Sequence, residues 1–199
     1  PDYARPSASH PGLIYCSITG FGQTGPYAHR AGYDFIIQGM SGLMDLTGEA
    51  DAEGQKVGVA YADLFTAVYG VIAAQAALIQ RFQTGKGQHI DMALFDTQVG
   101  VLANQATNFF WSGKSPRRIG NANPNIAPYQ VFVAADGPFI IACGNDGQFE
   151  RLCGVLNLQL HLDPRFDTNT NRVIHRADLT VLMAAAIAKW QRAELLNAL

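Results

Sequence analysis

Aspartate, histidine, serine and cysteine are the side chains best able to do chemistry in this 199-residue chain, and their spacing narrows what that chemistry can be. Asp63 stands behind Val59-Ala60-Tyr61-Ala62, at the predicted start of the strongest helical segment, Asp63–Phe82. A carboxylate there has two readings. As an N-cap it stabilises the helix by roughly 1 kcal/mol. As a nucleophile it is kept ionised by the helix end, in a setting of small apolar residues, ready to attack a carbonyl carbon. The residues alone leave both open. The histidines, His10, His29, His89, His161 and His175, show no H-x-x-x-H spacing and no cysteine pair joins them, so no metal site is expected. Gly-x-Ser-x-Gly is absent and every serine lies far in sequence from an evident partner, which leaves a Ser–His–Asp hydrolase without local support. Gly20-Phe21-Gly22-Gln23-Thr24-Gly25 fits G-x-G-x-x-G after a predicted strand. A dinucleotide site, however, opens a helix at its second glycine. Pro26, His29, Arg30 and Gly32 give such a helix no apolar period, so the stretch reads as a glycine-rich surface loop.

The elements that position these groups follow from periodicity and breakers. Leu13–Ile18 reads as a strand, Tyr33–Met44 as a helix, and Thr47–Gly58 as a polar loop. Asp63–Phe82 carries Leu64, Phe65, Val68, Ile72, Leu78, Ile79 and Phe82 on one broad face and stops at Thr84-Gly85-Lys86-Gly87. His89–Phe95 alternates like a strand, and the segment to Trp111 reads as helix. Ser112–Pro128 is almost without apolar residues and reads as a linker. A hairpin follows, Tyr129–Ala134 and Phe139–Cys143 joined through Asp136-Gly137, then helices over Asp146–Leu156 and Ala177–Leu196. The fold class is α/β.

Composition excludes several functions. With 48% hydrophobic residues and a net charge of −2 the chain is not disordered. With 14 Lys+Arg against 16 Asp+Glu it carries no nucleic-acid footprint. No apolar run approaches the roughly 20 residues of a membrane span, so no membrane segment is expected. Cys16, Cys143 and Cys153 are widely spaced and odd in number, which points to a reducing cytoplasm rather than a disulfide framework. Charged residues make up 15%, well below the roughly 25% of an average globular protein, so much of the surface is expected to be covered by another copy or by more chain. The opening on Pro1 and the uncapped helical pattern at the other end favour a piece of a longer protein.

Several motifs in order resemble the family III CoA-transferases. They are Leu13-Ile14-Tyr15-Cys16-Ser17-Ile18-Thr19-Gly20-Phe21-Gly22, Gly25-Pro26-Tyr27, Gly32-Tyr33-Asp34, Ala62-Asp63-Leu64-Phe65-Thr66 and Thr84-Gly85-Lys86-Gly87-Gln88-His89-Ile90-Asp91. Arg118-Ile119-Gly120-Asn121, Ala127-Pro128-Tyr129-Gln130 and Gly144-Asn145-Asp146-Gly147-Gln148-Phe149 look most like the dicarboxylate-using branch. The resemblance implies that Asp63 is the catalytic aspartate, passing through an aspartyl mixed anhydride and an aspartyl-CoA thioester. It implies that Arg30, Ala31, Gly32 and Tyr33 contact CoA, which is substrate rather than a permanently bound cofactor. Gly120–Asn125 takes the place of a glycine-rich loop that shields the intermediate in some members, here with a single glycine. The α-methylacyl-CoA racemases share the fold and pair the aspartate with a histidine. Tyr33 stands at that place, and a phenol of reference pKa near 10 is a poor proton shuttle, so transferase is favoured over racemase; a truncated chain without catalysis is the alternative of a different class. The implied architecture is part of a Rossmann-like large domain over residues 1–112, a linker over 113–125 and a smaller α+β domain over 126–199. Two full-length chains would interlock as a homodimer, and this chain by itself is expected to be inactive.

Overall fold

A computed structural model describes residues 3–199 of the chain, so the first two residues of the predicted large domain lie outside the described residues. The chain divides into one unit ending at Arg118 and a second spanning Ile119–Leu199. The first carries α1 (Ala4–Ser9), β1 (Tyr15–Thr19), α2 (Asp34–Met40), α3 (Leu43–Leu46), α4 (Tyr61–Thr84), β2 (His89–Ala93), α5 (Leu94–Gly100) and α6 (Asn104–Ser112). The second carries β3 (Tyr129–Ala134), β4 (Gly137–Ala142), α7 (Asp146–Val155), α8 (Asn169–Ile174), α9 (Arg176–Ile187) and α10 (Arg192–Ala198). The fold is mixed α/β.

In the first unit β1 and β2 pair in parallel, in register from Tyr15 opposite His89 to Thr19 opposite Ala93. Parallel neighbours need a long crossover, and α4, which touches both strands, supplies it. The face that α4 buries is not the one its large side chains suggest. Ala62, Thr66, Gly70 and Ala77 are the buried positions, one helical stripe of small residues. Leu64, Val68, Ile72, Ile79 and Phe82 are all more than half exposed, Phe82 at 79%. Small side chains let the helix axis lie close to the strands: a Cβ on Gly70 would sit 3.8 Å from Ile18 Cδ1. By length and composition α4 could cross a membrane, contrary to the expectation that no segment is long enough. Its small-residue stripe packs instead on the two strands and on α2 and α5.

Three predicted helices are divided. Tyr33–Met44 breaks at Gly42, where φ is +90°, into α2 and α3. The segment to Trp111 breaks at Ala103, where φ is +48°, into α5 and α6. Ala177–Leu196 breaks between Ile187 and Arg192, where Ala135 N donates to Trp190 O and ties the chain back to the hairpin. The hairpin β3–β4 forms, but its two-residue turn is Ala135-Asp136 rather than the expected Asp136-Gly137, because Gly137 already pairs with Ala134 as the first residue of β4. Arg192 N donates to Asp136 Oδ1 at 2.8 Å and its guanidinium lies 3.2 Å from Oδ2, which holds the Asp136 carboxyl below its usual range.

The second unit is built round a core from β3, β4, α7, α9 and α10, with Phe149, Phe166, Leu179 and Ile187 essentially inaccessible. One charge is buried with them. Arg172 on α8 has a side chain 0% exposed. Its Nε donates to Ala127 O at 2.7 Å, Nη1 to Phe166 O at 3.0 Å and Nη2 to Asp146 Oδ1 at 2.6 Å. Its guanidinium also lies 4.4 Å from the centre of the Phe149 ring. Asn169 and Arg176 add bonds to the same stretch, from Asn169 Nδ2 to Asn125 O and from Arg176 to the carbonyls of Ile126 and Pro124. The chain entering β3 is therefore held by three side chains of α8 and α9.

Candidate active site

The start of α4 is capped from another helix. Ala60 is the N-cap residue and makes no side-chain cap bond, so Asp63, third residue of the helix, is not the N-cap that its sequence position suggested. The orphan amide of Ala62 donates instead to Asp34 Oδ1 of α2 at 2.8 Å. Asp34 Oδ2 accepts from Gln38 Nε2, also at 2.8 Å. Gln38 is completely buried; its Oε1 accepts from Val57 N at 2.9 Å, and Nε2 also reaches Val59 O at 3.4 Å. One buried amide thus ties Asp34 to the loop that delivers the chain into α4. Beneath it Ile37, Ala62 and Leu94 form a small apolar cluster bordered by Phe21 and Phe95.

This frees Asp63 from any capping duty and leaves its side chain exposed on the first turn. Its carboxyl is held above the usual aspartate value of 3.8, first by desolvation from its surroundings and second by the charge of Asp34. The helix end does favour the charge, but desolvation and a like charge outweigh it. A carboxylate in that condition is more basic and more reactive toward a carbonyl than one in water.

Arg30, Ala31, Gly32 and Tyr33 run directly into α2. Gly32 lies against Gly20 so closely that a Cβ on Gly20 would come within 2.5 Å of the Gly32 Cα, so both positions need glycine. Arg30 stacks 4.3 Å over the Tyr27 ring, which meets Phe21 edge-on. Tyr33 is 77% exposed. It immediately precedes Asp34, whose bond to Ala62 N stands next to Asp63, so this segment and Asp63 flank one hydrogen bond. Asp34 and Gln38 were missed as site residues. Their signal was an i, i+4 polar pair on an otherwise apolar helix.

The G-x-G-x-x-G stretch is a loop, with positive φ at Gly22 and Gly25, and no helix opens before Asp34. Asp91 of β2 holds it by accepting from Gln23 N at 2.8 Å. Ser17, which had no partner in sequence, meets His89 across the paired strands, Oγ to Nε2 at 2.8 Å. Ser17 is buried, whereas His89 is exposed, with Tyr3 and Tyr15 packed on its imidazole. Gly120–Asn125 belongs to the second unit. Among the described residues no group of three or more His, Cys, Asp or Glu side chains could hold a metal ion.

Comparison with known proteins extends over the whole chain. It is 54% identical over 198 residues to a succinate–glutarate CoA-transferase of Agrobacterium fabrum, covering 99% of this chain and 50% of that protein. It is 45% identical over 180 residues to the succinyl-CoA:glutarate CoA-transferase of Mus musculus, covering 90% of this chain and 41% of that one. A crystal structure of a CAIB/BAIF family protein from Brucella suis superposes with a TM-score of 0.78 at 63% identity, over 98% of this chain and 52% of that chain. The chain therefore spans about half the length of the relatives it matches. The profile of CoA-transferase family III matches residues 2–199, and the chain belongs to that family.

Proposed function

We propose that the protein containing this chain transfers CoA from an acyl-CoA to a dicarboxylic acid, with Asp63 as the covalent nucleophile and Arg30, Ala31, Gly32 and Tyr33 contacting CoA. The observation that carries the reading is an exposed aspartate on the first turn of α4 whose carboxyl is held above its usual range. The names of the relatives support the substrate class. The Asp63 carboxylate attacks the thioester carbonyl, giving a mixed anhydride and CoA thiolate. The thiolate attacks the Asp63 carbonyl, expelling the donor carboxylate and leaving an aspartyl-CoA thioester. The acceptor carboxylate attacks that thioester, forming a second anhydride and releasing the thiolate. The thiolate then takes the acceptor's acyl group and restores the Asp63 carboxylate. No net proton is consumed, and each step exchanges one activated carbonyl for another. CoA is a substrate here, not a resident cofactor.

The domain reading belongs to the same proposal. Residues 1–112 serve the CoA-binding domain, 113–125 a linker and 126–199 a smaller domain, and two full-length chains interlock in the cytoplasm. The exposed apolar side of α4 supports further cover in the whole protein. Residues 1–199 expressed by themselves are expected to elute in the void volume in size-exclusion chromatography and to lack transfer activity. A monodisperse, active preparation would show that this surface needs no cover. The reaction itself is tested with full-length protein, succinyl-CoA and glutarate, with glutaryl-CoA read by mass spectrometry. If neither these nor related dicarboxylates give a new acyl-CoA, the reading fails.

A further inference from the structure

We infer that Asp34, fixed by Gln38, is a positioning residue for Asp63: it sets the orientation of the first turn of α4 and the charge beside the nucleophile. The inference rests on Asp63 being the nucleophile. Three features of the geometry carry it. Asp34 Oδ1 holds Ala62 N at 2.8 Å, one residue before Asp63, so any movement of the Asp34 carboxylate moves the backbone that carries the nucleophile. Asp34 has no freedom to move, because Gln38 donates to its other oxygen at 2.8 Å and is itself fully buried and bonded to Val57 N and Val59 O. The cap is also supplied from α2 rather than from the N-cap position, where Ala60 offers no side-chain acceptor. A local serine or aspartate at that position would close the helix equally well. Capping through a carboxylate on another helix adds a fixed negative charge next to Asp63.

The elements packed on α4 carry other titratable groups: Tyr15 and Cys16 on β1, His89 and Asp91 on β2, Asp96 on α5. Of all of them, Asp34 is the one that acts on Asp63 electrostatically, in the direction that favours the protonated acid. Removing its charge therefore lowers the pH at which Asp63 ionises. The cost of losing the positioning is read in turnover, since a displacement of about 1 Å at a reacting group reduces rate by up to roughly 100-fold.

The test uses the full-length enzyme and follows kcat/KM for acyl-CoA against pH, whose acidic limb reports ionisation in the free enzyme. In Asp34→Asn that limb is expected to move to lower pH, with kcat reduced roughly 10- to 100-fold and KM for acyl-CoA unchanged. A merely structural role would lower the melting temperature without moving the limb. Should the Asn variant not fold, Asp34→Glu decides: it keeps the charge and must leave the limb in place while its longer arm reduces kcat. An unmoved limb in the Asn variant, or a wild-type kcat in the Glu variant, overturns the inference. Hydroxylamine treatment of acyl-CoA-loaded wild type, followed by peptide mapping, separates this from the underlying assignment. A hydroxamate on Asp63 with an unmoved limb sinks the role of Asp34 alone, whereas a hydroxamate on another residue sinks the nucleophile and this inference with it.

Discussion

Asp63→Asn in the full-length protein is expected to abolish CoA transfer while the melting temperature stays level or rises. The amide occupies the same volume but cannot form an anhydride, so hydroxylamine traps the acylated wild type and finds nothing in the variant. The stability half of the expectation follows from the sign of the perturbation. The carboxyl of Asp63 is held above 3.8 by desolvation and by Asp34, so between the unfolded and folded values the native state binds more protons than the unfolded one. Stability then falls as pH rises through that window, and at neutral pH the ionised side chain opposes folding. Asn removes that opposition. Asp63 makes no cap bond for Asn to lose, and the attraction of the helix end that goes with its charge is the smaller effect. Activity assays and thermal melts at neutral pH check both halves. More than a few per cent of residual transfer would sink Asp63 as nucleophile, and a large drop in melting temperature would show that it carries structure after all.

The largest effect on stability is expected at Arg172, far in sequence from the proposed chemistry. Arg172→Met should destabilise the protein by about 3–5 kcal/mol, because two buried carbonyl acceptors are left unsatisfied at roughly 1–3 kcal/mol each, while Asp146, whose side chain is 56% exposed, returns to water. Two carbonyl oxygens, of Ala127 and Phe166, lose their donor in a site with no solvent access, and the stack on Phe149 goes as well. Arg172→Lys should recover little, since a single ammonium cannot serve three acceptors in a fork geometry. Asp146→Asn, by contrast, keeps an acceptor oxygen for Nη2 and should cost about 1–2 kcal/mol. Urea unfolding of the three variants measures the series. If Arg172→Met and Asp146→Asn prove equal, the backbone carbonyls are not what Arg172 supports.

What the sequence by itself determined is local. Gly85 ends α4 with φ at +69°, as Gly after a periodic helix should. Alternation produced the β3–β4 hairpin, with its turn one residue earlier than the Asp-Gly pair suggested, and the ordered motifs around Asp63 and Gly32 were enough to place the chain in its family. Tertiary structure decided the rest, because those outcomes depend on neighbours distant along the chain. A hydrophobic stripe marks a helix but not which side it buries. On α4 the close approach of the two strands and of α2 and α5 selected Ala62, Thr66, Gly70 and Ala77, leaving the larger residues outward. Breaks at Gly42 and Ala103 need a positive φ that periodicity does not register. At the site, sequence offered Asp63 as its own cap. The fold brought Asp34 across 28 residues to bond Ala62 N, which released Asp63 from that role and set a second negative charge beside it. Which carboxylate caps and which is free is a property of two helices meeting, and neither helix carries it alone.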